Sequence, residues 1–233
     1  MNYVEKVTSL FDSKASSWDS NYSPEGRLAQ RVDIFASLLA EQVEPGASLL
    51  DFGCGTGAIA RHLVERGFKV TACDVSEQMI ANGKRIHGEQ TISWYLLPSE
   101  WKRFPFADET FDAIIASSVF EYLDDADNVL EECRRILGVG GKLIISVPDP
   151  QHILRRLENA ARPLAELGSK IPLVRRLPRI GNYLAYLRVS RSRYPMDVWK
   201  QKAHDAAFGR VDVDLPKPEL DGAGAMMYLA FER

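Results

Sequence analysis

The sequence is most informative at Leu49-Leu50-Asp51-Phe52-Gly53-Cys54-Gly55-Thr56-Gly57, where an apolar stretch runs into three closely spaced glycines. The apolar part predicts a buried strand, and the glycines predict a tight turn that opens a helix. Glycine suits such a turn because a Cβ would hold a ligand away from the backbone or forbid the turn itself. The next predicted strand, 69–73, is followed by Asp74, an acid placed to accept both hydroxyls of a ribose. The run therefore predicts a nucleoside site at the edge of a sheet.

Strands and helices alternate on both sides of this turn. We predict strands at 47–52, 69–73, 92–97, 112–117, 142–147, 210–215 and 226–232, and helices at 28–43, 56–66, 77–87, 127–137 and 196–207. Strict alternation of apolar strands with helices is typical of a parallel sheet that is covered on both faces. We therefore expect an α/β fold in one domain of 233 residues.

The composition is that of a water-soluble globular chain, with 45% hydrophobic and 26% charged residues. No run approaches the roughly 18 consecutive apolar residues of a membrane span, and residues 1–20 lack the pattern of a secretory leader. Cys54, Cys73 and Cys133 show no paired spacing, which argues against a disulfide framework or a structural zinc site. These features predict a cytoplasmic protein.

The net charge of −3 conceals an uneven distribution of charge along the chain. Segment 151–194 contains ten Lys or Arg and only two Glu, so it carries +8 and the rest of the chain carries −11. Its apolar residues alternate with the arginines, which makes it amphipathic as well as basic. Three prolines, Pro163, Pro172 and Pro178, predict that it is broken into short helices.

The glycine turn fits two families of nucleotide-binding protein. Gly53-x-Gly55-x-x-Ala58 satisfies the dinucleotide-binding fingerprint. The third glycine is Gly57, however, and Asp51 precedes the turn, which resembles motif I of the class I S-adenosylmethionine-dependent methyltransferases. Three later runs match motifs of that family in order, and dehydrogenases do not share them: 74–79, 104–112 and 135–143. The chain is therefore identified as a member of the small-molecule branch that resembles the ubiquinone and menaquinone biosynthesis methyltransferases.

This resemblance implies a Rossmann-like sheet of seven strands, mostly parallel, with an antiparallel last strand and helices on both faces. It implies a single domain, 1–233, with an N-terminal cap at 1–28 and a cofactor-binding core at 29–150. A basic helical lid, 151–194, is inserted after the fifth strand, and 195–233 forms a C-terminal helix and strand hairpin. The implied cofactor is S-adenosyl-L-methionine, with S-adenosyl-L-homocysteine as product.

The resemblance also implies roles for individual residues. Those expected to hold the cofactor are Asp51, Gly53, Cys54, Gly55, Gly57, Asp74, Val75, Met79, Glu100, Trp101 and Ser117. Among them, Asp74 binds the ribose, and Glu100 stands where the family usually has the Asp that accepts the adenine amino group. Those expected to contact the acceptor are Trp18, Tyr22, Ser118 and Tyr122.

The run 118–122 departs from the pattern of the quinone-biosynthesis O-methyltransferases. Where those enzymes have E-x-x-E-H, linked to a divalent metal, this chain has Ser118, Glu121 and Tyr122. One carboxylate is too few for a dedicated Mg²⁺ site, so we predict no metal. Glu121 is a candidate general base, with substrate orientation or loop bracing as the alternative. His152, just past the fifth strand, is the candidate imidazole for proton transfer or substrate contact.

Three interpretations of the basic segment 151–194 stay open. It recognises an anionic substrate, it makes peripheral contact with anionic lipid and admits an amphiphilic substrate, or it covers the acidic body of the domain. Nucleic acid is not an expected partner, because the rest of the chain is strongly acidic. The N/D-P-P-Y/F run of base and glutamine N-methyltransferases is also missing at 117–120.

The predicted reaction is methyl transfer to a small molecule, onto oxygen in a biosynthetic pathway. One alternative is N- or C-methylation of a natural product, a sugar or a lipid-like acceptor. A second alternative, from another class, is a catalytically silent S-adenosylmethionine-binding partner protein. The chain is expected to be a monomer or a homodimer.

Overall fold

The computed structural model describes residues 2–168, 178–213 and 226–233. These residues form one seven-stranded sheet with helices on both faces, so the predicted Rossmann-like α/β fold is confirmed. The strands are β1 (Ser48–Phe52), β2 (Lys69–Asp74), β3 (Ser93–Leu96), β4 (Phe111–Ser117), β5 (Leu137–Pro148), β6 (Arg210–Val213) and β7 (Met226–Glu232). Their order across the sheet is β3-β2-β1-β4-β5-β7-β6.

The direction of the strands places the carboxyl ends of β1, β2 and β4 at the same edge of the sheet. Strands β1 to β5 pair in parallel, and β7 pairs antiparallel with both β5 and β6, as the resemblance implied. At the carboxyl edge, Asp51 of β1 lies beside Ala72 of β2 and Ile115 of β4. The chain turns to β2 on one side of β1 and to β4 on the other. This reversal leaves the crevice in which an open α/β sheet binds its ligand.

Nine helices flank the sheet in the described ranges. They are α1 (Tyr3–Asp12), α2 (Ala15–Trp18), α3 (Ala29–Ala40), α4 (Ala58–Glu65), α5 (Glu77–His87), α6 (Ala126–Ile136), α7 (Ile153–Gly168), α8 (Pro178–Val189) and α9 (Met196–Asp205), with 3₁₀ turns at Asp19–Tyr22 and Phe120–Tyr122. Ser76 caps α5 by accepting the N–H of Met79 at 3.1 Å. No helix that the structure describes is long and apolar enough to cross a bilayer.

Strand β1 is buried on both faces of the sheet. Leu49 belongs to a core that includes Phe35 of α3, and Leu50 belongs to the opposite core, which includes Trp199 of α9. Neither leucine has exposed surface. A strand buried on both sides loses the alternation of polar and apolar residues, which is why β1 appears in the sequence as a continuous apolar run.

The N-terminal cap packs on the segment that follows β5. Val7 and Leu10 of α1 share a small apolar cluster with Val189 of α8. The Tyr3 hydroxyl donates to the carbonyl oxygen of Val189, and the Arg191 guanidinium lies 4.6 Å from the centre of the Tyr3 ring. The two segments expected to cover the site are therefore in contact with each other.

The prediction that prolines break 151–194 into short helices is wrong for Pro163. Helix α7 runs through Pro163 and is 16 residues long. Contacts on both sides hold it: Glu158 is ion-paired with Arg193 before the proline, and Ala165 is fully buried after it. These contacts outweigh the main-chain hydrogen bond that proline removes. Pro178 opens α8, a position where proline is favoured, and 169–177, with Pro172, lies outside the described residues.

Strand β5 begins at Leu137, five residues before the predicted start at 142. Leu137 pairs with Phe111 of β4, so the chain enters the sheet as soon as α6 ends at Ile136. The glycines at 138–141 hid this early start, because glycine has a low preference for strands. The predicted strand 210–215 is described to Val213, and 214–225 lies outside the described residues.

Candidate functional site

A cavity of about 1090 Å³ opens at the carboxyl edge of β1, β2 and β4. Pockets for one drug-sized ligand typically enclose about 300–1000 Å³, so this cavity is slightly larger than a typical pocket of that kind. Thirteen of the predicted site residues line it: Trp18, Tyr22, Gly53, Cys54, Gly55, Asp74, Val75, Glu100, Trp101, Ser117, Ser118, Glu121 and Tyr122. Four do not, namely Asp51, Gly57, Met79 and His152.

The glycine turn is held between the tip of β4 and the N-terminal cap. Gly53 and Gly55 have positive φ angles of 69° and 56°. A Cβ on Gly53 would lie 2.4 Å from the Val119 side chain, and a Cβ on Gly55 would lie 2.8 Å from Nε1 of Trp18. A side chain at either position is therefore excluded by both backbone conformation and space. Trp18, predicted to contact the acceptor, lies directly against the turn.

Gly57 serves packing beneath the turn. Its φ is 81°, and a Cβ there would lie 2.4 Å from the ring of Trp94 on β3. Met79 is likewise buried, with 1% of its surface exposed, in the first turn of α5. The structure thus places these two predicted cofactor residues behind the cavity wall.

Asp74 presents a carboxylate to the cavity at the end of β2. Its Oδ2 accepts the N–H of Gly55 at 2.9 Å, and its Oδ1 accepts the N–H of Ser76 at 2.9 Å. Burial raises the pKa of this carboxyl group, and the backbone hydrogen bonds oppose that rise. Each carboxylate oxygen retains a further lone pair, so Asp74 fits a pair of ribose hydroxyls.

Asp51 is buried beneath the same turn, with 1% of its surface exposed. Burial, together with the nearby charge of Asp74, raises its pKa to about 7, although the N–H of Ala60 in α4 acts in the opposite direction. Its Oδ2 has no hydrogen-bond partner in the described part of the chain. A buried carboxylate of this kind favours a cation bound in the adjoining cavity.

Aromatic side chains form the wall beyond Asp74. The Trp101 ring packs against Phe104, with centroids 4.6 Å apart, and edge-on against Phe52 at 5.6 Å. Val75 lines the cavity beside Trp101, and Glu100 is exposed at the rim. An apolar slot with a carboxylate at its rim suits a flat heterocycle that carries an amino group.

Arg31 of α3 is a cavity residue that the sequence analysis missed. Its Nη1 donates to Oγ of Ser118 at 2.7 Å and to Oγ of Ser117 at 3.4 Å. Within the described ranges no carboxylate is ion-paired with it, so its charge is available to an anionic ligand group. No motif marks this position, and only the pairing across 87 residues of sequence reveals it.

Glu121 joins the end of β4 to the segment that follows α8. Its carboxylate accepts a hydrogen bond from the Ser190 hydroxyl, and its carbonyl oxygen accepts the N–H of Arg191 at 2.8 Å. Burial raises the pKa of Glu121, while Ser190 and the guanidinium groups of Arg193, Arg155 and Arg31 act to lower it. The side chain lines the cavity. It thus both fastens the lid and offers a carboxyl group to a bound molecule.

Two arginines of the lid point into the protein. Arg155 and Arg193 each donate through Nη1 to Oε2 of Glu158 at 2.8 Å, and both also donate to the Tyr186 hydroxyl. Arg193 further donates to Ser190 at 2.7 Å. The cluster encloses the side of the cavity around Glu121. The spacing of three residues between Arg155 and Glu158 was the available sequence signal.

His152 is not brought to the cavity. Its Nδ1 accepts the N–H of Leu154 at 3.3 Å, at the start of α7. Across the residues with a described structure, no group of three or more His, Cys, Asp or Glu is placed to hold a metal ion.

The chain is similar to known methyltransferases in sequence. Residues 50–145 match a family model described as a methyltransferase domain. The chain is 30% identical over 181 residues to a ubiquinone biosynthesis O-methyltransferase of Xylella fastidiosa, covering 76% of this chain and 70% of that protein. It is 32% identical over 140 residues to a demethylmenaquinone methyltransferase of Thermobifida fusca, covering 60% and 59%. A malonyl-[acyl-carrier protein] O-methyltransferase of Geobacter sulfurreducens is 31% identical over half of its length. The matches to the Thermobifida and Geobacter proteins thus span about half to three-fifths of the length of those relatives.

Solved structures share the fold. The magnesium protoporphyrin IX methyltransferase of Synechocystis, solved with bound S-adenosylhomocysteine, superimposes with a TM-score of 0.68 over all of both chains at 17% identity. A Haemonchus contortus phosphoethanolamine N-methyltransferase, solved with S-adenosylmethionine, gives a TM-score of 0.65 over 95% of this chain and 57% of that one at 15% identity. At these identities the likeness establishes the fold.

The pH dependence of unfolding tests the burial of Asp51. Its pKa is about 7 in the folded chain against 3.8 ordinarily, so between these values the folded chain keeps a proton that the unfolded chain loses. The contribution of this group to the free energy of unfolding is complete below its pKa in the unfolded chain. The contribution is lost as the pH rises through 7, its pKa in the folded chain. We expect the free energy of unfolding of the Asp51→Asn variant to be about 1 kcal/mol or more above that of the wild type near pH 8. The difference between the two should be smaller near pH 5.

Urea unfolding followed by circular dichroism at both pH values measures this difference. Glu44→Gln, which changes an exposed acid just before β1, is the control and should follow the wild-type pH dependence. Parallel pH curves for wild type and Asp51→Asn would contradict the raised pKa.

Proposed function

The chain belongs to the S-adenosylmethionine-dependent methyltransferases, and we propose that it transfers a methyl group to a hydroxyl oxygen of a small acceptor. One observation carries the proposal: the glycine turn and Asp74 lie in the same cavity as Glu121 and Tyr122. A cofactor at the turn leaves part of the cavity for an acceptor. That space favours an enzyme over a silent cofactor-binding protein, whose cavity needs to hold the cofactor alone.

The residues present fit the cofactor. Asp74 would accept the two ribose hydroxyls, and the slot of Val75 and Trp101 would hold the adenine, with Glu100 at its amino group. The turn would lie against the methionine part, because Gly53 and Gly55 keep the backbone bare. When bound, the cofactor supplies a methyl group already activated by the sulfonium charge.

Arg31 would bind the carboxylate of that methionine part. It lies beside Ser117, the last residue of β4, and Ser118, which follows it. Strand β4 is the neighbour of β1, which leads into the glycine turn. A guanidinium without a carboxylate partner binds a carboxylate through paired N–H donors. Asp51, buried beneath the turn, favours the positive groups of the same ligand.

Glu121 would take the proton that a hydroxyl acceptor loses. Its carboxyl group is buried in the acceptor side of the cavity, and burial raises its pKa towards the range in which a general base works. Tyr122 and Ser118 would contact the same acceptor. The proton goes to Glu121 rather than to a metal-bound oxygen, because the 118–122 run holds a single carboxylate. The O-methyltransferase relative, with which the chain shares 181 aligned residues, supports oxygen over carbon.

Asp74→Asn tests the ribose contact. Hydrogen bonds to charged groups contribute about 1.5–3 kcal/mol, so we expect the dissociation constant for S-adenosylhomocysteine to rise by about tenfold or more. Isothermal titration calorimetry measures it, with Glu44→Gln as the control at an exposed acid near the amino end of β1. An unchanged affinity would refute the contact.

Arg31→Ala tests the carboxylate contact with two probes. S-adenosylhomocysteine carries the amino-acid carboxylate, and 5′-methylthioadenosine lacks it. We expect the substitution to weaken the first by about tenfold and to leave the second nearly unchanged, with Arg31→Lys in between. Equal losses for both probes would mean that Arg31 acts on the shape of the cavity and not on the carboxylate.

Glu121→Gln and Ser190→Ala separate proton transfer from bracing. Both remove or weaken the link between the 3₁₀ turn and the lid, but Ser190→Ala keeps the carboxylate. For a base with a raised pKa, kcat increases as pH rises through that pKa. We expect Glu121→Gln to lose about 100-fold in kcat together with this pH dependence, and Ser190→Ala to keep the pH profile.

Methyl transfer to a panel of phenols and hydroxy acids, with thermal unfolding of each variant, provides the measurement. If both variants lose thermal stability and kcat equally, with the same pH profile, Glu121 is a brace and not a base.

A further inference from the structure

Helix α7 is turned with its apolar side towards solvent. Ile153, Leu154 and Leu157 share one side of the helix and are 60%, 53% and 60% exposed. Arg155 lies on the other side of the helix, Glu158 lies at the border between the two sides, and both line the cavity. In a helix on the surface of a water-soluble domain the apolar stripe normally faces the core. The orientation of α7 is the reverse of that rule.

The inward charges fix this orientation. Arg155 and Arg193 are ion-paired with Glu158, and the Arg193 side chain has only 1% of its surface exposed. Rotating α7 to bury its leucines would leave Arg193 buried without its carboxylate, which is strongly unfavourable. The apolar side therefore stays outside in the free protein.

The exposed apolar side continues onto α8. Ile180 and Tyr183 are each 47% exposed, and the Tyr183 hydroxyl donates to Glu158 of α7 at 3.2 Å. We call these five residues the apolar ridge: Ile153, Leu154, Leu157, Ile180 and Tyr183. They make up five of the nine exposed large apolar side chains in the described ranges. A concentration of this kind marks a surface that binds something apolar.

The charge of the chain points to the nature of the partner. Arg156 is exposed within the ridge, and Arg191 is exposed just after α8. The segment 151–194 carries +8 against −11 for the rest of the chain. An anionic surface would therefore attract the ridge and repel the body of the domain, which orients the molecule. A second copy on the same face would instead bring two basic segments together.

We propose that the apolar ridge docks on an anionic lipid surface. Apolar side chains that enter the headgroup region, flanked by arginines at the level of the phosphates, are the arrangement of an interfacial helix. Arg155 and Glu158 of the same helix line the cavity, and Tyr183 of the ridge reaches its rim, where its hydroxyl donates to Glu158. The docked protein would thus open its acceptor site near the lipid, which suits an amphiphilic acceptor. That last step rests on the proposed function; docking itself does not.

Sedimentation of the full chain with vesicles tests the proposal. We expect binding to vesicles of phosphatidylcholine with phosphatidylglycerol, weaker binding to phosphatidylcholine alone, and a decrease with added salt. Ile153→Ser combined with Leu157→Ser should lower the vesicle affinity by about tenfold, because apolar surface is lost from the interface. Val139→Ser is the control: Val139 is 87% exposed near the start of β5, at the opposite end of the sheet.

Thermal unfolding and S-adenosylhomocysteine affinity, both measured without vesicles, should be unchanged in the double variant, which separates docking from folding and from the proposed function. Failure of the wild type to sediment with anionic vesicles, or equal sedimentation of the double variant, would overturn the proposal. So would light scattering that shows a dimer which the double variant converts to a monomer, because the ridge would then be a contact between copies.

Discussion

Three hydrogen bonds donated by main-chain N–H groups attach the turn after β1 to the end of β2, and the geometry of the site depends on them. The N–H groups of Gly53 and Cys54 donate to the carbonyl oxygen of Cys73 at 2.8 and 3.1 Å, and that of Gly55 donates to Asp74 at 2.9 Å. Buried N–H groups require partners, so the turn can take this path only while β1 and β2 keep their register. The position of the Asp74 carboxylate relative to the bare glycine backbone follows directly from strand pairing.

The same attachment determines the electrostatics of the cavity. It brings the charge of Asp74 close to the buried Asp51, where burial and this charge raise the pKa of Asp51. Arg31 supplies the opposite charge from α3, beside Ser117 and Ser118. A ligand with a hydroxylated ring, positive groups and one carboxylate matches this division of charge. Binding such a ligand offsets part of the cost of keeping both acids in the fold.

The sequence predicted what depends on local pattern. The strand before the turn and the acid at Asp74 are set by apolar periodicity and glycine geometry, which neighbouring residues encode. Arg31 could not be found this way, because its partner Ser118 lies far along the chain and an arginine on a helix usually faces solvent. Pro163 misled for the same reason: a local rule for helix ends lost to an ion pair at Glu158, formed with a residue beyond the next helix.

The arginines of the lid fall into two groups, one inside the protein and one on its surface, which the net charge of +8 does not reveal. Arg155 and Arg193 are ion-paired with Glu158 inside the protein, beside Glu121. They are therefore not free to bind an anionic acceptor. The exposed Arg156 lies instead beside the exposed apolar side chains of Ile153 and Leu157 on the same helix. Pairing the inner arginines is what turns the apolar side of α7 outward. The ion pairs that close the cavity therefore also create the exposed surface of the lid, so one set of contacts links the acceptor site to whatever that surface binds.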